Sequence, residues 1–404
     1  MIHDSALDKA MKDVPNATKA ADGWLIKGEG WTFHAFDKHS PESLEGLSHF
    51  ESFYLPFCTR DEIFKMRDMR CASDHLLWLR AEAIAENPRF CRVFRSRVKS
   101  HANWSLTGWY AKNDFARSEY LDNITRSAKQ KIELIPAGMA LLQEVNAMCC
   151  ITEHGNYIAV SEALEHFLYY MNLAFYGETF GLDINDQITA LMIGVRTMIG
   201  SESLDFDLDP RGTPPEHVDE SIRRLTNDQI SFTFGHEYSH HLMNHLQQGQ
   251  AKKQSLQDIF YISDSEKFVG SYAYKHKQEY EADLFSIKNI KSNNTYKSRL
   301  ANAAFAMFAH FSVLNHVFEV MAIKSRHASS HPDPVDRIWK LRRRLNKKIG
   351  MPPEEINNIL TKANHFKKLL AEKFIPLHFD EIEMYGSYYL PSYKKKLLID
   401  RVDF

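Results

Sequence analysis

The segment His236-Glu237-Tyr238-Ser239-His240 sets two imidazoles four residues apart, with a carboxylate beside the first. On a helix, side chains at i and i+4 point the same way, one turn apart. Two ring nitrogens so placed can reach one zinc ion at about 2.0–2.1 Å each. Glu237 lies about 100° further round the helix. It cannot easily join the same ion, but it can hold a water, accept its proton and later pass that proton to a leaving amine. Ile230, Phe232, Phe234, Leu242 and Met243 make the surrounding pattern apolar nearly all round, as in a buried helix. Two imidazoles and a carboxylate inside such a helix need a reason to be there.

An ion that keeps one position open for chemistry needs a third protein ligand. Glu279-Tyr280-Glu281-Ala282-Asp283, in a later helical pattern, offers one. Glu279 and Asp283 share a face, so Glu279 can bind the metal while Asp283 accepts a hydrogen bond from the far nitrogen of a histidine ligand and fixes its tautomer. Glu281 points elsewhere and reads as a surface charge. His241 and His245 are also four apart, but no acid follows His241. These two, with His276, His310 and His316, read as hydrogen-bonded core or surface histidines.

HExxH followed by ExxxD on a second helix resembles the gluzincins, and the form Glu279-x-Glu281-Ala282-Asp283 resembles the CAAX prenyl protease and HtpX heat-shock peptidase family. Members of that family carry a later His-Pro followed by an arginine, and this chain has His331-Pro332 and Arg337. The resemblance implies a zincin-like domain with a small antiparallel sheet, a Zn2+ cofactor and a protein or peptide substrate. It implies His236, His240 and Glu279 as metal ligands, Glu237 as general base and Asp283 behind the ligands. It places His331 near the zinc, as a gate or an oxyanion donor, and gives Arg337 the task of holding the site together. It also implies an edge strand to which substrate adds as a further strand. The run Tyr157, Ile158, Ala159 is the best match for that strand. The resemblance spans roughly Ser127 to Leu345. The phage-exclusion peptidases of the Lit type, which also carry HExxH, are a close alternative.

The elements that must position these groups read as α+β, predominantly helical. The chain has 404 residues, 44% hydrophobic and 25% charged, enough to bury a core without structural metals. Three regions are expected: an accessory module over 1–120, the metallopeptidase domain over 121–375, and a tail over 376–404 packed on the core. The Gly28-Glu29-Gly30 turn predicts a hairpin of Trp24–Ile26 with Trp31–Phe33. Helices are expected over Glu62–Glu86, over Ala128–Met148 with a kink at Pro136 and Gly138, and from Ser161 as N-cap to about Tyr176. Thr226 with Gln229 forms a capping box that predicts the start of the HExxH helix. Further helices are expected over 277–290, 297–325 and 333–347.

A net charge of −2 argues against a nucleic-acid partner. Five cysteines, an odd number with no CxxC, suit a reducing compartment, and the N-terminus has no secretory pattern; the expected location is the cytoplasm. No stretch reads as a membrane span, because the most apolar one, 303–322, is broken by His310, Asn315, His316 and Glu319. The expected activity is that of a soluble zinc-dependent endopeptidase. A zinc-binding regulatory or interaction module without turnover, or a phage-exclusion type peptidase acting on one host protein, is the alternative.

Overall fold

The computed structural model describes residues 6–20, 23–29, 31–35, 44–142, 147–212, 214–247, 250–255, 268–322, 331–377 and 386–392. The chain is α+β and predominantly helical. Near its start, β1 (Ala17–Ala20), β2 (Gly23–Gly28) and β3 (Trp31–Ala35) make an antiparallel meander in which Gly28 faces Trp31. The expected hairpin is therefore present, although Gly30 itself lies outside the described residues.

The helix expected over Glu62–Glu86 is two helices, α1 (Arg60–Arg67) and α2 (Ala72–Ala85). Asp68 leaves helical geometry at φ −128°, ψ 67°. The Asp74 carboxylate then accepts from the backbone N–H groups of Arg70 and Cys71 and starts the second helix. Four more helices follow: α3 (Pro88–Lys99), α4 (Leu106–Lys112), α5 (Phe115–Asn123) and α6 (Arg126–Ile132).

The helix expected over Ala128–Met148 stops at Ile132. Pro136 has no N–H to continue it, and its carbonyl accepts from Ile158 N at 2.9 Å. The chain then enters β4 (Ala137–Ala140) and β5 (Ala147–Thr152), which join β6 (Gly155–Ser161), β7 (Gln250–Ser255) and β8 (Phe268–Ala273) in the order β4-β6-β5-β8-β7. The sheet is antiparallel except for the parallel β4–β6 pair. This placement corrects the expected substrate strand. Tyr157, Ile158 and Ala159 lie on β6, which is paired on one side with β4 and on the other with β5. Tyr157 and Ala159 pack toward α2, and Ile158 and Val160 toward the main core. A strand buried on both faces and bonded along both edges has none left to offer a peptide.

The main core runs continuously from Phe57 to Leu390. α7 (Glu162–Tyr176) starts where expected, with Ser161 Oγ accepting from Ala163 N at 3.0 Å. α8 (Ile184–Ile199) packs along it. The HExxH helix α9 spans Glu216–Leu242 and begins ten residues before the expected capping box at Thr226. Thr226 is a buried mid-helix residue whose hydroxyl donates to Ile222 O. Gln229 and Asn172 exchange amide hydrogen bonds at 2.7 and 3.2 Å, and Asn172 also donates to Thr226 Oγ1. Two polar side chains that look like a cap thus clamp α9 to α7.

α10 (His276–Lys288), α11 (Asn294–Val320), α12 (Pro334–Arg344) and α13 (Pro353–Leu369) complete the bundle. By length and composition α11 could cross a membrane, yet 72% of its most apolar window is buried inside the protein. His310, halfway along it, has no hydrogen-bond partner on either nitrogen among the described residues. It stacks edge-on with Phe175, and burial pushes its pKa down to about 3, so it packs as a neutral aromatic and not as the hydrogen-bonded histidine expected. Of the tail, residues 386–392 bind the 201–211 loop, with Ser203 N donating to Gly386 O and Leu390 N to Arg211 O.

Gly235, just before His236, is where α9 and α5 touch. A Cβ there would lie 2.5 Å from the Tyr120 ring. Tyr120 also donates to Ser286 O of α10 at 3.0 Å, so one ring spaces three helices. Gly to Ala within a helix ordinarily stabilises by about 1 kcal/mol; Gly235→Ala is expected instead to destabilise by about 1–3 kcal/mol through overpacking. Urea unfolding would show a lower midpoint, and a raised midpoint would rule out the tight approach.

Candidate metal centre

His236 and His240 stand on the last turns of α9, and Glu279 and Asp283 on the first turns of α10, which packs against it. All four are buried. The Nε2 atoms of the two histidines are 3.2 Å apart, and each lies 3.6 Å from an oxygen of Glu279. An ion bonded to three tetrahedral ligands at 2.0–2.2 Å holds them about 3.3–3.6 Å apart. Two imidazole nitrogens that face each other and a carboxylate, with their other nitrogens engaged elsewhere, are a donor set that fits zinc. The sequence-derived trio is thus brought together as a group.

Each histidine is oriented from behind by different chemistry. His236 Nδ1 donates to Asp283 Oδ1 at 2.9 Å. The same carboxylate takes two bonds from Arg337 of α12, Nε to Oδ2 at 2.9 Å and Nη2 to Oδ1 at 2.6 Å. The Arg337 guanidinium lies over the Phe308 ring at 4.2 Å. Asp283 and Arg337 thus form one ion pair behind His236. His331 lies at the foot of α12 and its Nδ1 is 2.6 Å from Glu279 Oε2. It thus contacts the carboxylate and is not one of the three clustered donors.

Behind His240 the sequence reading missed a relay. His240 Nδ1 is 3.0 Å from His245 Nδ1, and His245 Nε2 is 3.4 Å from Glu281 Oε2. If His240 uses Nε2 for a metal, its Nδ1–H donates to His245, whose Nε2–H then faces Glu281. Glu281 is thus no free surface charge, and His245 is not an incidental core histidine. The Tyr274 ring stacks on His240 at 3.5 Å and 12°. The available signal was the nearness of both residues to ligand positions: Glu281 follows Glu279 by two and His245 follows His240 by five. His241, also unassigned, meets Cys149 Sγ of β5 at 3.2 Å and ties the sheet to α9.

The electrostatics follow from burial and these contacts. Burial disfavours the His236 cation, but its bonds to Asp283 and Glu279 outweigh that and raise its pKa to about 10. Burial, and then the His236 charge, drive His240 well below the ordinary histidine value. Burial opposes ionisation of Glu279, yet His331 and His236 hold its carboxyl well below the usual range. For Glu237, burial, joined by the Glu279 charge, outweighs the pull of His236, His331 and Arg337 and raises it to about 7. It lines a pocket of about 100 Å³ together with His236, His331 and Arg337. The pocket walls are apolar: Leu164, Met198, Phe232, Met307, Phe311 and Leu314.

Residues 250–345 match the sequence profile of peptidase family M48. That family comprises metal-dependent peptidases, usually zinc enzymes, so the chain is a metallopeptidase relative, as the resemblance implies. Glu279, Asp283, His331 and Arg337 lie inside the matched segment, and His236, Glu237 and His240 precede it. No curated protein and no solved structure matches the chain.

The relay predicts that His245→Ala and Glu281→Gln weaken zinc binding by about 10–100-fold, the usual effect of losing a partner behind a metal-bound histidine. Competition against a chromophoric chelator measures this. Unchanged affinity in both variants would mean that His240 needs no such support.

Proposed function

We propose that this relative of the M48 peptidases is a soluble zinc-dependent endopeptidase acting in the cytoplasm. The observation that carries this reading is the position of Glu237, buried beside the three clustered donors and raised to about 7 on the wall of an open pocket. A site that only stored zinc would have no use for that carboxylate.

His236, His240 and Glu279 would hold the ion. When bound, zinc supplies Lewis acidity toward water and the scissile carbonyl. Glu237 accepts the proton of the attacking water. It then delivers that proton to the amine as the peptide bond breaks, and its raised pKa suits both halves of the task near neutral pH. Asp283 and Arg337 keep His236 in the tautomer that presents Nε2. His331 steadies Glu279 and, from the same pocket wall, is the candidate donor to the developing oxyanion. The apolar walls exclude water and suit a peptide with a large apolar side chain next to the scissile bond. The five cysteines are in no disulfide, which fits a reducing compartment.

Glu237→Gln is expected to keep its zinc and lose about 10²–10⁴-fold in cleavage rate, the range attributed to a general acid–base group. Digestion of a peptide library by the parent and the variant, with and without chelator, reads this out. Cleavage at the parent rate by the variant would remove Glu237 from the mechanism. Zinc content without any cleavage by the parent would favour a regulatory module.

Zinc uptake should also release protons. The metal-free site holds a proton on His236 below about pH 10, whereas His240 is already neutral. At pH 8, above the Glu237 value of about 7 and below that of His236, binding must therefore expel about one proton per ion, and apparent affinity should rise about tenfold per pH unit there. Isothermal titration in buffers of different ionisation enthalpy gives the proton count. A count near zero would contradict the proton held on His236.

A further inference from the structure

Outside the catalytic cluster, the turn between β5 and β6 carries Glu153 and His154 and lies against His75 of α2. His75 Nε2 is 3.1 Å from His154 Nδ1. Glu153 Oε1 lies 3.8 Å from the first nitrogen and 3.7 Å from the second. The three donor atoms close a triangle about as tight as the grouping of His236 and His240 Nε2, 3.2 Å apart, with the two Glu279 oxygens, each 3.6 Å from one of those nitrogens. Among the described residues these are the two groups of histidine and carboxylate donors that close to this size.

We propose that His75, Glu153 and His154 form a second Zn2+ site. Two imidazole nitrogens and one carboxylate oxygen suit zinc and leave an outward position for water. The turn that carries two of the three donors is held in place before any ion arrives. His75 is nearly buried on α2, its side chain 11% exposed, while His154 and Glu153 open to solvent at 33% and 72%, so an ion has a path in. The turn is fixed by Thr152, whose hydroxyl donates to Gly155 O at 2.7 Å and accepts from His154 N at 3.1 Å. Gly155, at φ +112°, lets the turn close against Ala72. Such an ion fastens α2 to the end of the β5–β6 hairpin. From there β5 runs past Cys149, which contacts His241, to Ala147 on the wall of the catalytic pocket. The second site is thus a brace on the strand that borders the first.

The test is zinc stoichiometry of the full chain, after equilibrium dialysis against micromolar free Zn2+, by elemental analysis. The parent is expected to hold two ions per chain, His154→Ala one, His240→Ala one, and the double variant none. Glu153→Gln should retain the second ion more weakly. His217→Ala, which removes an exposed histidine elsewhere on the surface, should keep both. Circular dichroism checks that His154→Ala, altered at a turn, remains folded. Equal zinc content in the parent and His154→Ala overturns the site, and so does an equal loss in His217→Ala. If the parent holds one ion that His154→Ala loses and His240→Ala keeps, the second site stands and the catalytic reading falls, so the two proposals fail separately.

Discussion

The Asp283 carboxylate is the contact on which the rest of the site depends. It accepts from His236 on α9 and from both arms of the Arg337 fork on α12, while standing on α10 itself. Three helices meet in one buried anion. Coulomb attraction at such depth is large, but so is the cost of stripping water from each ion. The pair is tolerable because nearly every donor finds an acceptor, and the Arg337 plane also lies on Phe308. Breaking such a network from one side typically costs about 3–5 kcal/mol, since a buried charge is left without its partner. Chemistry and fold are therefore coupled here: the group that sets the His236 tautomer also docks α12.

Only close packing lets that anion reach all its donors. α9 must lie near enough to α10 for His236 to bond Asp283, and Gly235 with Tyr120 sets how near α5 comes to the same turn. On the opposite side the Asn172–Gln229 amide pair fixes α9 against α7. α12 in turn starts at a defined point, because Asp333 caps it and Pro334 occupies its first position. That start places His331 beside Glu279 and Arg337, one turn on, beside Asp283. A helix begun a residue later would rotate Arg337 about 100° away.

The ligand trio was legible in the sequence because its chemistry depends on helical spacing, which sequence records directly. His236/His240 and Glu279/Asp283 are both i,i+4 pairs, and three of these four side chains converge as one donor cluster while Asp283 stands behind His236. What was not legible came from competition between local signals and long-range partners. Thr226 and Gln229 have the spacing of a cap, but Asn172 on another helix claims both. The Ala128–Met148 stretch has helical composition, yet Pro136 and the β6 edge draw its second half into a sheet. The run Tyr157-Ile158-Ala159-Val160 held its own warning: an edge strand with one wet face alternates apolar with polar, whereas this run is apolar throughout. His245 and Glu281 were missed because each becomes meaningful only once the far nitrogen of His240 must be satisfied.

The two histidines of the candidate site are backed by unequal means. His236 is backed by a full negative charge, itself neutralised by Arg337, and so it is the more basic ligand and keeps a proton when no metal is present. His240 is backed by a neutral imidazole and a stacked tyrosine ring, with the nearest carboxylate one residue further out. A second anion directly behind His240 would add to Glu237, Glu279 and Asp283 in one water-poor space, and burial already holds Glu237 at about 7. Further negative charge nearby would push that carboxyl higher and leave it protonated at the moment it must accept a proton. Interposing His245 lets Glu281 fix the His240 tautomer from a distance at which its field is weaker. The relay thus orients His240 without adding a full charge beside Glu237.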